Sequence, residues 1–291
     1  MSTVVDAAVG GATRSRGRGR RLALTVVAAA VGLAFILPAV WILVGSLRPT
    51  EDIFASLSPL SWSLFVPEQI TFANYVNLFT GAGFGRALLN SVVVCVSTVV
   101  FGVVMCALAA YALSVLRFRG RGIVFVVVVV SFMVPFETIA IPLAGLFTDW
   151  QLDNTFLGLV LPGLGNGLAI FNLRQHFLGI PPSLREAAVV DGASEFRILT
   201  QIYLPLSGSA LVNSALLIFL GQWTAYLWPL LITTDLDMFV APISLARTFS
   251  EHAFDFGQNF AGAVLLSLVP AILMFVLQRF FTRSIAETGS K

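Results

Sequence analysis

Long apolar segments, separated by short polar ones, are the feature that most constrains the fold of this chain. The first runs from Leu22 to Leu47 without a charged residue, which is long enough to cross the roughly 30 Å hydrocarbon core of a bilayer. Backbone polar groups find no water there, so such segments cross as helices. Further apolar segments follow at 87–115, 122–147, 155–173, 205–234 and 258–281. Pro135 and Pro142 are expected to interrupt the third of the six, 122–147. The sequence therefore predicts an all-α polytopic membrane protein with six transmembrane helices.

Composition excludes several functional classes. Hydrophobic residues make up 57% of the chain, and the net charge of +2 is too small to favour nucleic-acid binding. Lys291 is the sole lysine, so the chain cannot contain the glycine-rich phosphate loop of an ATPase. No nucleophile and base converge, and His176 and His252 fall on opposite sides of the membrane. We therefore expect no catalytic site, no metal site and no cofactor in this chain. Its apolar segments would contact membrane lipid.

The distribution of basic residues predicts the orientation. If the six segments alternate, fourteen of the seventeen lysines and arginines share the side of the N-terminus. The positive-inside rule then places both termini in the cytoplasm. The loop at 235–257, between the fifth and sixth segments, would lie outside. We expect a disordered cytoplasmic N-terminal tail at 1–21, a transmembrane domain at 22–281 and a cytoplasmic C-terminal tail at 282–291.

A polar segment at 174–204 lies between two of the predicted spans, on the cytoplasmic side. Pro181 and Pro182 interrupt the preceding helix, and Ser183 with Glu186 matches a capping box that would start a new one. Gly192 tolerates backbone angles that other residues resist. The segment therefore predicts two short helices that meet at an angle near Gly192, with a weakly apolar face.

This segment also contains a spaced motif. It reads E-A-A-x-x-x-G, then nine residues, then I-x-L-P, with the matching residues Glu186, Ala187, Ala188, Gly192, Ile202, Leu204 and Pro205. It resembles the EAA loop in the inner-membrane permease subunits of binding-protein-dependent ABC importers. Asp191 before the glycine resembles the carbohydrate-uptake branch, the maltose and glycerol-phosphate permeases, of which this chain is similar to the shorter six-span subunit.

The resemblance implies a function and a set of partners. The chain would be a permease in the bacterial inner membrane, forming half of a translocation pathway for a sugar or related polyol. It would assemble with a second permease, two copies of a cytoplasmic ATPase that binds ATP and Mg²⁺, and an extracytoplasmic solute-binding protein. The EAA helix would dock in the ATPase, with a charged rim made of Arg185, Asp191, Glu195 and Arg197.

Candidate pathway residues lie in two of the apolar segments. Glu137 is the one acid inside a predicted span, a position that is costly unless the side chain faces water or a partner. Gln222, Trp223 and Tyr226 offer the amide and aromatic groups that bind sugars. Two simpler interpretations stay open: Glu137 could reach the outer headgroups, and the aromatic residues could form an interfacial belt.

Glu137 also supports a rival function. An ATP-independent carrier or channel would use an intramembrane acid as its proton or ion site, but it would not require the EAA motif. Dependence of uptake on an ATPase subunit separates these two functions.

Overall fold

The computed structural model describes residues 6–54, 65–67, 69–81, 83–251 and 255–288, and over these ranges it is helical without strands. The helices are α1 Asp6–Ser46, α2 Ala73–Gly81, α3 Phe84–Ser114, α4 Arg121–Met133, α5 Phe136–Asp149, α6 Phe156–Leu164, α7 Gly167–Leu178, α8 Pro182–Val190, α9 Glu195–Ile198, α10 Leu204–Leu206, α11 Gly208–Trp223, α12 Leu227–Ile232, α13 Ala241–Glu251 and α14 Phe256–Thr288. The predicted all-α class is confirmed.

Three straight helical segments are long and apolar enough to cross a bilayer: Arg21–Ser46, Phe84–Ser114 and Phe256–Gln278. Three bent pairs also qualify when each pair is taken together: α4 with α5, α6 with α7, and the 195–206 segment with α11. The described residues therefore contain the six predicted apolar segments only if each bent pair crosses as one span. The number and direction of the crossings stay predictions.

The bends correct several predicted boundaries. The third segment turns by 98° between α4 and α5 at Pro135, whereas Pro142, also predicted to break the helix, lies inside α5. Neighbouring helices and side chains can satisfy the carbonyl that such a proline leaves free. The fifth segment is not one helix from 205 to 234, because α11 ends at Trp223 and α12 begins at Leu227.

The predicted tails and outer loop also differ from the structure. Helix α1 begins at Asp6, inside the predicted N-terminal tail, and residues 1–5 lie outside the described ranges. Disorder of this tail and its cytoplasmic position stay predictions. Helix α14 continues to Thr288, inside the predicted C-terminal tail, and 289–291 are not described. The outer loop at 235–257 contains α13, and His252 within it is not described.

The chain divides into two units, of which the smaller comprises 1–77 and 255–264. The ring of Trp41 packs edge-on against Phe54 and against Phe260. The Asn74 amide donates to the carbonyls of Ser46 and Arg48, and so holds the turn after α1.

The larger unit comprises 78–254 and 265–291, and α3 contacts α6, α7 and α11 within it. Small or polar residues recur at helical spacing along the buried side of α3: Ala87, Ser91, Cys95, Thr98, Gly102, Cys106 and Ala110. Small side chains let helices approach closely in a membrane. At Gly102 an added Cβ would lie 3.3 Å from Ile218 Cδ1 of α11, so this approach is already tight.

Candidate functional site

The coupling loop, residues 174–204, begins differently from the predicted pattern. Helix α8 starts at Pro182 with Pro181 at its N-cap, and no side chain caps it. Ser183 and Glu186 both lie inside the helix, so the predicted capping box is wrong. A proline is favoured in the first turn because its missing N–H has no partner there in any case, and this preference outweighs the serine signal.

The predicted bend at Gly192 is confirmed. Helix α8 ends at Val190, and Gly192 takes the left-handed conformation with φ of 75°. The N–H of Gly192 donates to the Val189 carbonyl at 3.0 Å, and the N–H of Ala193 donates to the Ala188 carbonyl at 2.9 Å. These two bonds form a Schellman motif, which satisfies carbonyls at the end of α8. Helix α9 then starts at Glu195, with the Ser194 hydroxyl accepting from the Arg197 N–H.

Several side chains of the loop are exposed. Glu186 is exposed, and its carboxylate makes no hydrogen bond or ion pair with any described residue. Val189, Val190 and Phe196 are 48%, 87% and 69% exposed. We call these four residues the coupling face. Ala187 and Asp191 are also exposed, whereas Ala188 packs against the core of the larger unit.

Arg185 and Glu195 lie on the inward side of the loop. They form an ion pair that joins α8 to α9. Glu195 also accepts a hydrogen bond of 2.6 Å from the hydroxyl of Tyr111, near the end of α3. The hydrogen bond from Arg185 lowers the pKa of the Glu195 carboxyl below its usual value, so the carboxylate stays charged at neutral pH. Both residues were predicted for an outward rim, and the structure engages them within the chain; their contact with an ATPase stays a prediction.

An aromatic cluster supports this ion pair. The rings of Tyr111, Tyr203 and Phe177 meet edge to face, with centroid separations of 5.1 Å between the two tyrosines and 5.5 Å between Tyr203 and Phe177. All three side chains are buried. The residues come from three separate parts of the sequence, which explains why the sequence pattern alone did not reveal the cluster.

Two arginines cover the carboxyl end of α3. The Arg174 Nε donates to the Leu113 carbonyl at 3.1 Å, and its guanidinium lies 3.8 Å from the centre of the Phe125 ring. Arg121 donates to the carbonyls of Ser114 and Leu116. Basic groups at this end satisfy the free carbonyls and the negative end of the helix dipole. Arginines counted in the sequence only for orientation therefore also fix the end of α3.

The segment that leads from the loop into α11 is irregular. Leu199–Tyr203 forms a π-helical turn, and the chain bends by 87° between the 195–206 segment and α11. The Ser207 hydroxyl at the bend is buried and finds no partner among the described residues. Single π-helical turns within a helix are frequent at functional sites.

Glu137 lies in the first turn of α5, immediately after the 98° bend, and is exposed. In a straight helix Glu137 would lie about 22 Å from the cytoplasmic end of the third segment. The bend makes this distance inapplicable. An acid in the first turn is also favoured by the helix dipole. Its position in a pathway stays a prediction.

The other candidate pathway residues have different environments. Trp223 is only 3% exposed, and its indole N–H donates to the Leu266 carbonyl at 2.9 Å, so its ring contributes to helix packing within this chain. Gln222 is half-buried, with its Oε1 near Gly163 of α6. Tyr226 is 45% exposed, at the break between α11 and α12. For Gln222, Trp223 and Tyr226 a role in the pathway stays a prediction.

Comparison with known proteins adds independent information. Residues 99–287 match the family described as the inner membrane component of binding-protein-dependent transport systems. The arabinooligosaccharides transport system permease protein AraQ of Halalkalibacterium halodurans is 33% identical, over 92% of this chain and 95% of the relative. The osmoprotective compounds uptake permease protein GgtD of Synechocystis is 33% identical, over 94% of this chain and 93% of the relative.

A further relative and a solved structure are also similar to this chain. The sn-glycerol-3-phosphate transport system permease protein UgpE of Agrobacterium fabrum is 34% identical, over 73% of this chain and 76% of the relative. A chain of a bacterial ABC transporter involved in the import of the acidic polysaccharide alginate superposes with a TM-score of 0.72. It is 22% identical, and the match covers 94% of this chain and 97% of that one.

Proposed function

Because this chain belongs to the family of inner membrane components of binding-protein-dependent transport systems, we propose that it is the permease subunit of an ATP-driven importer for a sugar or related polyol. It forms half of the translocation pathway and receives the movement of an ATPase through the coupling loop. The EAA motif, folded into two short helices with an exposed coupling face, is the observation that carries this proposal.

The coupling face has the properties of a protein contact. Large apolar side chains that stay exposed beside polar ones mark interaction sites on soluble surfaces. Val190 and Phe196 are exposed in this way, and the charge of Glu186 is available to a basic group of a partner. An amphipathic helix of this kind binds by laying its apolar residues in a groove. The cytoplasmic ATPase is the partner that the EAA motif predicts.

The solute class follows from the relatives. The names of two of them specify arabinooligosaccharides and sn-glycerol 3-phosphate. These solutes share closely spaced hydroxyl or phosphate groups that demand hydrogen-bond partners along a pathway. A sugar or related polyol is therefore the solute class we assign to this chain.

The chain is a non-catalytic subunit in this proposal. ATP and Mg²⁺ belong to the partner ATPase, because the sole lysine is Lys291 and no phosphate loop is possible. A second permease of different sequence completes the pathway, and a solute-binding protein delivers the solute from outside. ATP binding draws the ATPases together, the coupling helices follow, and the cavity opens toward the loaded binding protein.

Co-purification tests the proposal. The tagged chain, expressed with its neighbouring genes, should retain an ATPase and a second permease when its bound subunits are identified by mass spectrometry. Glu186→Ala and Gly192→Pro should lose the ATPase but keep the second permease. Glu51→Ala is a matched control, since Glu51 is exposed and lies outside the coupling loop.

One outcome of this experiment would contradict the proposed function. If the parent chain purifies without an ATPase, the importer assignment fails and a carrier that uses Glu137 becomes the better explanation. Uptake of labelled arabinooligosaccharide and glycerol 3-phosphate by cells that carry the complex then tests the solute class.

A further inference from the structure

Two neighbouring residues of α8 lie in different environments. Glu186 is exposed on the coupling face, whereas Arg185 is half-buried and paired with Glu195. A partner that binds Glu186 therefore moves a helix that the neighbouring Arg185 ties to the rest of this chain through Glu195. The helix that contacts this ion pair is the part of the larger unit that moves with the coupling loop.

The anchor is a single hydroxyl. Tyr111 donates from its Oη to Glu195 Oε2 at 2.6 Å, and Tyr111 belongs to α3. Helix α3 has an extensive buried side in the larger unit. The Tyr111 ring is held from the side by Tyr203 and Phe177, so the hydroxyl has little freedom to follow Glu195 if the loop shifts. A hydrogen bond to a charged group is about twice as strong as one between neutral groups.

We propose that Tyr111 is a positioning residue whose hydroxyl, through Glu195 and Arg185, holds the coupling helices α8 and α9 on α3, so that the loop and α3 move as one body. This inference rests on the proposed function, since it concerns how movement of the ATPase reaches a spanning helix. Without the hydroxyl, the loop can still bind the ATPase but turns independently of α3.

The chain offers a matched control. Tyr203 shares the aromatic cluster and is equally buried, but its hydroxyl makes no hydrogen bond with any described residue. Tyr111→Phe and Tyr203→Phe therefore remove the same atom from the same cluster, and only the first removes the bond to Glu195. Glu195→Gln is a second variant, because it keeps the shape of the side chain and removes its charge.

Spin labels on α8 and α3 measure the proposed link. Leu184→Cys on α8 and Met105→Cys on α3 carry the labels, because both parent side chains are exposed outside the coupling face while the two native cysteines are buried. In the complex, the parent and Tyr203→Phe should show one narrow distance that does not change between the nucleotide-free state and the state trapped with ATP and vanadate. Tyr111→Phe and Glu195→Gln should raise the population at other distances about tenfold, as expected for the loss of one hydrogen bond to a charged group, and their mean distance should shift with ATP.

Three outcomes would overturn the inference about Tyr111, and a fourth would overturn the proposed function. Identical distributions for Tyr111→Phe and Tyr203→Phe would overturn the inference, and so would a parent distance that changes with ATP. Loss of the ATPase from Tyr111→Phe would overturn it too, by placing the hydroxyl in assembly rather than in movement. If even the parent retains no ATPase, the proposed function fails, while the nucleotide-free distributions still test the link between the loop and α3.

Discussion

At the scale of single residues, the coupling loop depends on the backbone conformation of Gly192. Its φ of 75° lies in the left-handed region, and a Cβ added there would meet no atom within 4 Å. The requirement for glycine is therefore conformational rather than steric, since a left-handed residue with a side chain costs roughly 1–2 kcal/mol. The same glycine belongs to the EAA motif, so the motif encodes the turn as well as the contact.

Gly192→Ala should therefore weaken the turn without a clash. We expect the free energy of unfolding of the loop to fall by about 1 kcal/mol, and proteolysis between α8 and α9 to become faster. Gly208→Ala is the control, because Gly208 also has open space around it but no left-handed φ. Equal protease resistance in the two variants would mean that the turn does not depend on the glycine.

The sequence predicted some of these residue roles and missed others. Gly192 was predictable because a local motif requires its backbone angles, and the exposure of Glu186 followed from the resemblance. The inward position of Arg185 and Glu195 was not predictable, because it depends on Tyr111, far away in the sequence. For Trp223 the sequence left several roles open, because an indole suits a sugar site, an interface and a helix contact equally well.

At the scale of elements, hydropathy located the apolar segments but not their direction. The third segment has the composition of a span, yet α4 and α5 meet at 98°. Hydropathy averages composition over a window and contains no information on bends. Pro135 marked this bend correctly, but Pro142 gives the same local signal and lies within α5, so the surrounding helices decide which proline ends a helix.

The link between α8 and α9 should depend on pH. Arg185 lowers the pKa of Glu195 in the folded chain, so the ion pair contributes stability that is present above the ordinary glutamate pKa of about 4.3 and is lost as the pH falls through the lower folded value. The titratable groups that face Glu195 are Arg185, Tyr111 and Tyr203, and all three keep their protons across this range.

Melting temperatures of the parent and Glu195→Gln, measured from pH 8 to pH 3, check this prediction. The parent should be the more stable by a constant margin at neutral pH, and the margin should shrink below about pH 4. Asp191→Asn is the control, because Asp191 is an exposed acid of the same loop. A margin that stays constant down to pH 3 would contradict a stabilising charge on Glu195.

At the scale of the whole molecule, charge and hydropathy together predict six crossings with the coupling loop in the cytoplasm, but the bends leave a second arrangement to test. If α4 and α5 cross as one broken span, the turn after α3 and the turn after α5 lie on opposite sides of the membrane. If the pair is re-entrant, both turns lie on the same side. The basic turn at 117–121, and the lack of lysine and arginine from 122 to 173, favour the broken span, since basic residues are concentrated on the cytoplasmic side.

Labelling of single introduced cysteines from each side separates these arrangements. Arg119 and Asp153 are exposed in the two turns, and the native cysteines are buried. With a membrane-impermeant maleimide, Asp153→Cys should react in right-side-out vesicles, and Arg119→Cys should react only in inverted ones. Leu184→Cys, exposed on α8 but outside the coupling face, reports the side of the coupling loop and should react together with Arg119→Cys. Reaction of Asp153→Cys only in inverted vesicles would mean that α4 and α5 are re-entrant and that Asp153 is cytoplasmic. The chain between Asp153 and the coupling loop would then have to cross the membrane an even number of times, or not at all, for the loop to reach a cytoplasmic ATPase.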